Sequence, residues 1–155
     1  MQNEKYLIGS RSWFEGKEGF NPHDTDYISF VGKSADLNFT WKETYFHDGI
    51  DDFTYVKYPP EKMLEMCLKL KDSILACAFL HKEVADIFNV SIEQLPLLRP
   101  IIEISIHKKN LKKHDYVLMI LDFIVQNNSW NLTPEQLDKA YQNYLDTRKD
   151  DKRGY

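Results

Sequence analysis

The first 58 residues consist of short runs in which apolar and polar positions alternate, separated by glycine and proline. These runs predict four strands, over residues 5–8, 27–31, 37–41 and 53–58. In residues 37–41, for example, Leu37, Phe39 and Trp41 alternate with polar neighbours, as on a half-exposed strand. The amino-terminal part of the chain is therefore expected to form a small sheet.

From Pro59 onward, apolar positions recur every three or four residues, which is the helical period. The pattern predicts one helix over about 60–78, followed by helical segments over 82–88, 91–107, 116–125 and 133–148. The apolar stripe of the first helix, which includes Met63, Met66 and Cys67, is interpreted as core. Residues 133–136, Thr-Pro-Glu-Gln, combine a helix cap, an early proline and a capping-box glutamine.

The two textures together predict an α+β fold with a small mixed β-sheet and a C-terminal helical layer. No linker, repeat or low-complexity segment separates them, and 155 residues suit one domain. We therefore expect a single domain over residues 1–155, with a core unit over about 1–80 and a helical part over about 81–155.

Composition excludes several classes of protein. Hydrophobic residues make up 43% of the chain, which disfavours intrinsic disorder, and a net charge of −4 gives no bulk attraction for nucleic acid. Cys67 and Cys77 are too few for a disulfide scaffold or a zinc site. Without an evident signal peptide or membrane-spanning run, the chain is expected in the cytoplasm, with no membrane contact.

The candidate chemistry lies in Gly9-Ser10-Arg11 and in the pair Asp24 and Asp26. A Gly-Ser pair that leaves a strand lets the backbone approach a ligand, and its hydroxyl and N–H groups can hold phosphate oxygens. Two carboxylates two residues apart share one strand face, where they repel each other unless a cation lies between them. Mg²⁺ suits such a site, with phosphate oxygens and waters completing its shell.

A third carboxylate is usually needed when two metal ions guide an attack on phosphorus. Asp51 and Asp52 lie directly before the last predicted strand and point to opposite faces, so that only one of them can join the pair. Asp52 is the preferred choice and Asp51 the alternative. If Thr54 occupies that position instead, the site lacks its third acid.

The order Gly-Ser, Asp-x-Asp and a later Asp on a strand resembles the polymerase-beta-type nucleotidyltransferase superfamily. The chain is most similar to small nucleotidyltransferase-like proteins of bacteria and their phages. In those, Gly-Ser-Arg precedes Asp-x-Asp-Tyr, and a later Asp-x-Thr strand leads into a Leu-rich helix. Here Asp24-Thr25-Asp26-Tyr27 and Asp52-Phe53-Thr54 match that pattern. The resemblance covers roughly residues 5–80.

The resemblance implies a sheet of nucleotidyltransferase type, Mg²⁺ with Mn²⁺ as an alternative, and a nucleoside triphosphate as substrate. Its nucleotidyl group would pass to an acceptor that stays open among RNA, protein and small molecules. Gly9, Ser10 and Arg11 would bind the nucleotide's phosphates. Asp24 and Asp26 would bind metal, and Asp52 would bind metal or act as a base; these three are the predicted catalytic residues.

Two other functions stay open beside nucleotidyl transfer. One is a catalytically reduced relative that binds a nucleotide, an RNA or a protein, as a phage–host conflict protein acting in the host cytoplasm would. The other is metal-dependent phosphodiester hydrolysis, because the same carboxylates can activate water. The family usually has a helix between Arg11 and Asp24, and two glycines and Pro22 make that segment a short helix or a loop here.

Individual residues also keep a simpler interpretation beside the functional one. Arg11 can form a surface salt bridge, and His23 is interpreted as shaping a turn in preference to transferring protons. The basic cluster 108–114 is typical of a solvated helix end, with nucleic-acid phosphate contact as the alternative. Aromatic residues at 13, 14 and 20 can stack a base, but belong more often to a core.

Overall fold

The computed structural model describes residues 5–22, 24–30, 43–48, 51–56, 58, 60–108 and 114–148. Four strands form one sheet: β1 (Lys5–Ile8), β2 (Thr25–Phe30), β3 (Glu43–Asp48) and β4 (Asp51–Val56). Their order is β1-β2-β4-β3. β2 is parallel to β4, whereas β1 is antiparallel to β2 and β3 is antiparallel to β4. The α+β class and the small mixed sheet are therefore confirmed.

Three of the four predicted strands correspond to observed strands, with ends shifted by up to two residues. The fourth, predicted over 37–41, lies outside the described residues. β3 was not predicted from the sequence. It forms a hairpin with β4 in which Asp48 pairs with Asp51, and its pairing with the central strand is what makes Glu43–Asp48 extended.

Side chains of alternate residues on β2 and β4 face the helices. Ile28 and Val56 are fully buried there, and Phe30 packs edge-on against Phe88. Asp26 occupies the same side of β2 as Ile28, because residues two apart on a strand point the same way. The buried face of β2 therefore carries an acidic residue near the amino-terminal end of the strand.

The helix predicted over 60–78 is interrupted. A 3₁₀ turn (Pro60–Lys62) leads into α2 (Met63–Leu70), and α3 (Ser73–Ala78) begins after a break. Lys71 adopts a left-handed conformation with φ of 56°, and the Asp72 carboxylate accepts a hydrogen bond from the Leu75 N–H at 3.0 Å. The expectation of one continuous helix was wrong, because Asp72 starts a new helix as its cap.

The remaining helices follow the apolar pattern closely. They are α4 (Lys82–Ile87), a 3₁₀ segment (Ile92–Leu98) that contains Pro96, α5 (Arg99–Lys108), α6 (Asp115–Asn127) and α7 (Pro134–Arg148). The predicted capping box is present: Gln136 N–H donates to Thr133 Oγ1, and Thr133 N–H donates to Gln136 Oε1. None of the helices in the described ranges is long and apolar enough to cross a bilayer.

The buried side chains of the sheet and of the helices belong to one hydrophobic cluster. Between β1 and β2 the chain forms a short helix, α1 (Ser10–Phe14), as the two glycines predicted. Phe14 is fully buried among Tyr116, Tyr141 and Tyr144, with ring centroids 5.1–5.3 Å away. Phe14 is therefore core and cannot stack a base.

Met63 and Cys67 of the first predicted helix are buried, which confirms the prediction that they belong to the core. Cys77 is a second free thiol, and burial together with the nearby Asp72 raises its pKa to about 12. A protonated thiol is a poor nucleophile, so Cys77 is a packing residue.

Candidate metal centre

Three carboxylates converge at the amino-terminal ends of the central strands β2 and β4, next to the turn that leads into α1. Asp24 immediately precedes β2 and Asp26 is the second residue of that strand, so their side chains share a face. Asp52 is the register partner of Asp26 on the parallel strand β4. One carboxylate oxygen from each of the three lies within 4.8 Å of the others, and all three residues are partly buried.

The parallel register distinguishes Asp52 from its neighbour Asp51. Asp51 pairs with Thr25, on the opposite side of the sheet from the Asp26–Asp52 pair. Thr54 shares the face of Asp52 but pairs with Ile28, one step further into the core, and is buried. Among the alternatives for the third acid, the arrangement with Asp52 is the one that this structure contains.

Gly9, directly after β1, packs against the carboxylate of Asp26. Its φ is +75°, a conformation that side chains rarely adopt, and a Cβ at this position would lie 2.5 Å from Asp26 Oδ2. Ile8, just before it, is the register partner of Asp26. The close approach of backbone to carboxylate thus requires glycine at position 9.

Ser10 and Arg11 form the first turn of α1 and are partly buried. Arg11 Nη1 donates to Glu15 Oε2 at 2.8 Å, so the salt-bridge interpretation of Arg11 describes its present contact. Arg11 Nε is buried and has no hydrogen-bond partner in the described part of the chain. Contact of Ser10 and Arg11 with phosphate stays a prediction.

The donor set suits a hard divalent cation. An octahedral Mg²⁺ ion with bonds of about 2.1 Å separates its ligand oxygens by roughly 3.0–4.2 Å. Oxygens within 4.8 Å of one another reach those separations through small side-chain rotations. Carboxylate oxygens also favour Mg²⁺, Mn²⁺ and Ca²⁺ over the softer metals that histidine and cysteine bind.

Sequence reasoning missed a second set of contacts behind the site. The Ser12 hydroxyl donates to the Gly9 carbonyl at 2.5 Å and lies 3.4 Å from His81 Nε2. Trp13 stacks on the His81 ring with centroids 4.6 Å apart. Burial lowers the pKa of His81 to about 4, so the ring is neutral near pH 7. No local pattern signals a contact between residues 69 positions apart.

Two sequence predictions fall outside the described part of the chain. His23 is one of them, and most of the basic cluster 108–114 is the other. Their assigned roles stay predictions.

Comparison of the chain with protein-family models, with curated proteins and with solved structures gave no significant match.

Proposed function

We propose that this chain is a Mg²⁺-dependent nucleotidyltransferase, which moves a nucleotidyl group from a nucleoside triphosphate to an acceptor. The observation that carries the proposal is the convergence of Asp24, Asp26 and Asp52, with oxygens within 4.8 Å, beside the Gly9-Ser10 turn. A group of three acids next to a glycine-dependent turn is suited to metal ions and phosphate together.

In this proposal Asp24 and Asp26 hold the metal, and Asp52 holds metal or accepts the proton of the attacking hydroxyl. A bound divalent ion supplies the positive charge that offsets the phosphate oxygens and orients them for in-line attack. In the proposed complex the Ser10 hydroxyl donates to a phosphate oxygen, and the absence of a side chain at Gly9 lets the backbone come close.

Arg11 has the chemistry of a phosphate ligand once it leaves Glu15. Solvent reaches both sides of the Arg11–Glu15 ion pair, whose side chains are 27% and 59% exposed, and such a pair contributes only about 0.3–0.5 kcal/mol, so exchanging it costs little. A guanidinium forms stronger, bidentate hydrogen bonds with a phosphate group. We therefore assign Arg11 to the triphosphate, with Glu15 as its partner in the free protein.

The test is incubation with labelled nucleoside triphosphates and Mg²⁺ or Mn²⁺, followed by mass analysis of the protein and of added RNA. A mass increase of one nucleotidyl group identifies the acceptor. Asp24→Asn combined with Asp26→Asn should abolish turnover and keep the fold, because amide and carboxylate have the same shape. Asp51→Asn, on the opposite face, is the matched control and should keep full activity.

Undiminished transfer by the double variant would overturn the proposed mechanism. Calorimetry with ATP and Mg²⁺ separates the other outcomes. Binding without product, lost in the double variant, indicates a catalytically reduced nucleotide-binding protein. Release of free nucleotide with water as the acceptor indicates hydrolysis, and absence of binding contradicts a nucleotide site.

A further inference from the structure

The hydroxyl of Ser12 links two distant parts of the chain. Its single hydrogen is given to the Gly9 carbonyl, since Ser12 Oγ lies 2.5 Å from that oxygen. The Ser12 backbone N–H donates to the same carbonyl at 3.1 Å. Gly9 O is thus held by two donors from one residue, which sets the orientation of the peptide that follows Gly9.

His81 completes the arrangement from the helical side. With the Ser12 hydrogen on the Gly9 carbonyl, we assign His81 the tautomer that carries its hydrogen on Nε2, in which Nε2 donates to Ser12 Oγ at 3.4 Å. The ring is held in place by the stacked indole of Trp13. The backbone carbonyl of His81 accepts from the N–H groups of Val84 and Ala85 at the start of α4, which anchors the residue to that helix.

The path from Ser12 to the carboxylates is short. Gly9 lies directly against the Asp26 carboxylate, close enough that even a methyl group would meet Oδ2 at 2.5 Å. A shift of the Gly9 peptide by a few tenths of an ångström therefore changes the space open to Asp26. Groups hydrogen-bonded to a metal ligand commonly set its orientation, and their loss weakens metal binding about 10- to 100-fold. Ser12 and His81 act one contact further away, through Gly9, so we expect the lower end of that range.

We propose that Ser12 and His81 are positioning residues for the metal centre. They fix the orientation of the Gly9 peptide, and Gly9 packs against the Asp26 carboxylate and so limits where that carboxylate can lie. This inference rests on the proposed function, because it requires the acidic group to bind a cation. It gives a specific role to His81, a residue of the helical part of the chain.

The experiment measures Mn²⁺ binding by electron paramagnetic resonance, which reports both affinity and the symmetry of the bound ion. Ser12→Ala removes the bridging hydroxyl, and His81→Phe keeps a stacking ring but removes the donor. Each should weaken Mn²⁺ binding about 10-fold and broaden the bound-ion spectrum. Ser12→Thr and His81→Gln keep a hydroxyl and an N–H donor, and should stay within about 2-fold of the wild type.

Val84→Ala is the control for a merely structural effect. Val84 is fully buried in α4, so its truncation lowers stability, but its side chain is not part of the link to Gly9. The Val84→Ala variant should therefore bind Mn²⁺ with wild-type affinity and give the wild-type spectrum. Equal weakening by Val84→Ala, or failure of His81→Gln to restore binding, would overturn it.

The outcome for the metal site itself is separate. If the wild type binds Mn²⁺ and the Asp24→Asn, Asp26→Asn variant does not, the metal centre stands. Wild-type affinity in Ser12→Ala and His81→Phe then contradicts the positioning role alone. If the double variant binds Mn²⁺ as well as the wild type does, the metal centre and the positioning role are both overturned.

Discussion

Asp26 and Asp52 are register partners across the parallel strands β2 and β4, and each is the second residue of its strand. Neighbouring strands lie about 4.8 Å apart, so two side chains in register on one face are close neighbours. Two carboxylates at that distance raise the free energy of each other's charged form, whereas a cation between them lowers it. With Asp24 beside them, this pair forms the basis of the candidate metal centre.

The same substitution at the two adjacent acids of β4, Asp51 and Asp52, should have different effects on stabilisation by metal. Metal at 100 times its dissociation constant should stabilise the wild type by about 2.7 kcal/mol. Asp52→Asn should lose most of that metal-dependent stabilisation, whereas Asp51→Asn should retain it. Urea unfolding with and without Mg²⁺ or Mn²⁺ measures the difference, and the reverse pattern would assign the third ligand to Asp51.

Glycine at position 9 should be needed for metal binding and not only for its backbone conformation. Gly9 and Gly16 both have positive φ, but a Cβ at Gly16 would meet nothing within 4 Å. Gly9, with ψ of −165°, lies in a region that essentially only glycine occupies, and alanine at either position should cost about 1–3 kcal/mol of backbone strain. Gly9→Ala should in addition reduce Mn²⁺ affinity, because the methyl group displaces the Asp26 carboxylate. Calorimetric titration of both variants tests this, and equal Mn²⁺ affinity in the two would contradict it.

His81 should make the protein less stable in acid. Burial lowers its pKa from 6.5 to about 4 in the folded chain, so between these values the unfolded chain binds more protons. The stability contribution is therefore complete above pH 6.5 and is lost as the pH falls towards 4. After allowance for screening at a partly buried ring, the loss between pH 7 and 4.5 should be about 2 kcal/mol.

The comparison that isolates this effect uses His81→Phe, which carries no titrating group at that position. Urea midpoints of both proteins are measured at pH 7 and at pH 4.5, so that the carboxylates common to both cancel. The wild type should lose the larger amount of stability. Parallel losses in the two proteins would show that His81 protonation is not coupled to unfolding.

The break between α2 and α3 should depend on the Asp72 carboxylate. Asp72 is buried, caps α3 through the Leu75 N–H and accepts a hydrogen bond from the Tyr58 hydroxyl at 2.9 Å. Asp72→Ala should destabilise the fold by about 3 kcal/mol, since a cap and a buried charge-assisted bond are both lost.

Tyr58→Phe should cost less, about 1–2 kcal/mol, since it removes one donor and leaves the cap. A double-mutant cycle from urea denaturation should give a coupling energy of about 1 kcal/mol between the two residues. Additive effects would indicate that the Tyr58–Asp72 hydrogen bond contributes little to stability.

Much of the architecture follows from local pattern. Spacings of three and four residues predicted α4, α6 and α7, and the capping box at Thr133 located the start of the last helix. The single helical stretch predicted over 91–107 is a 3₁₀ segment followed by α5. The shared face of Asp24 and Asp26 follows from the two-residue period of a strand. These features depend on residues close together in sequence, where backbone geometry alone relates their side chains.

Other features required the folded chain. The break at Lys71 depends on an Asp72 carboxylate that is buried against Tyr58, and β3 is extended because it pairs with β4. The Ser12–His81 contact joins residues 69 positions apart. In each case a partner that is distant in sequence overrides or completes the local preference.

The sequence by itself determined which residue types were available for chemistry: a Gly-Ser turn, an Asp-x-Asp pair, and two adjacent acids that begin a later strand. Only the tertiary structure decided that Asp52 joins Asp24 and Asp26, and that Asp51 does not. The physical reason is the register of β2 against β4. That register is set by burial of Ile28 and Val56 under the helices, because a slip of one residue would turn these side chains to the opposite face.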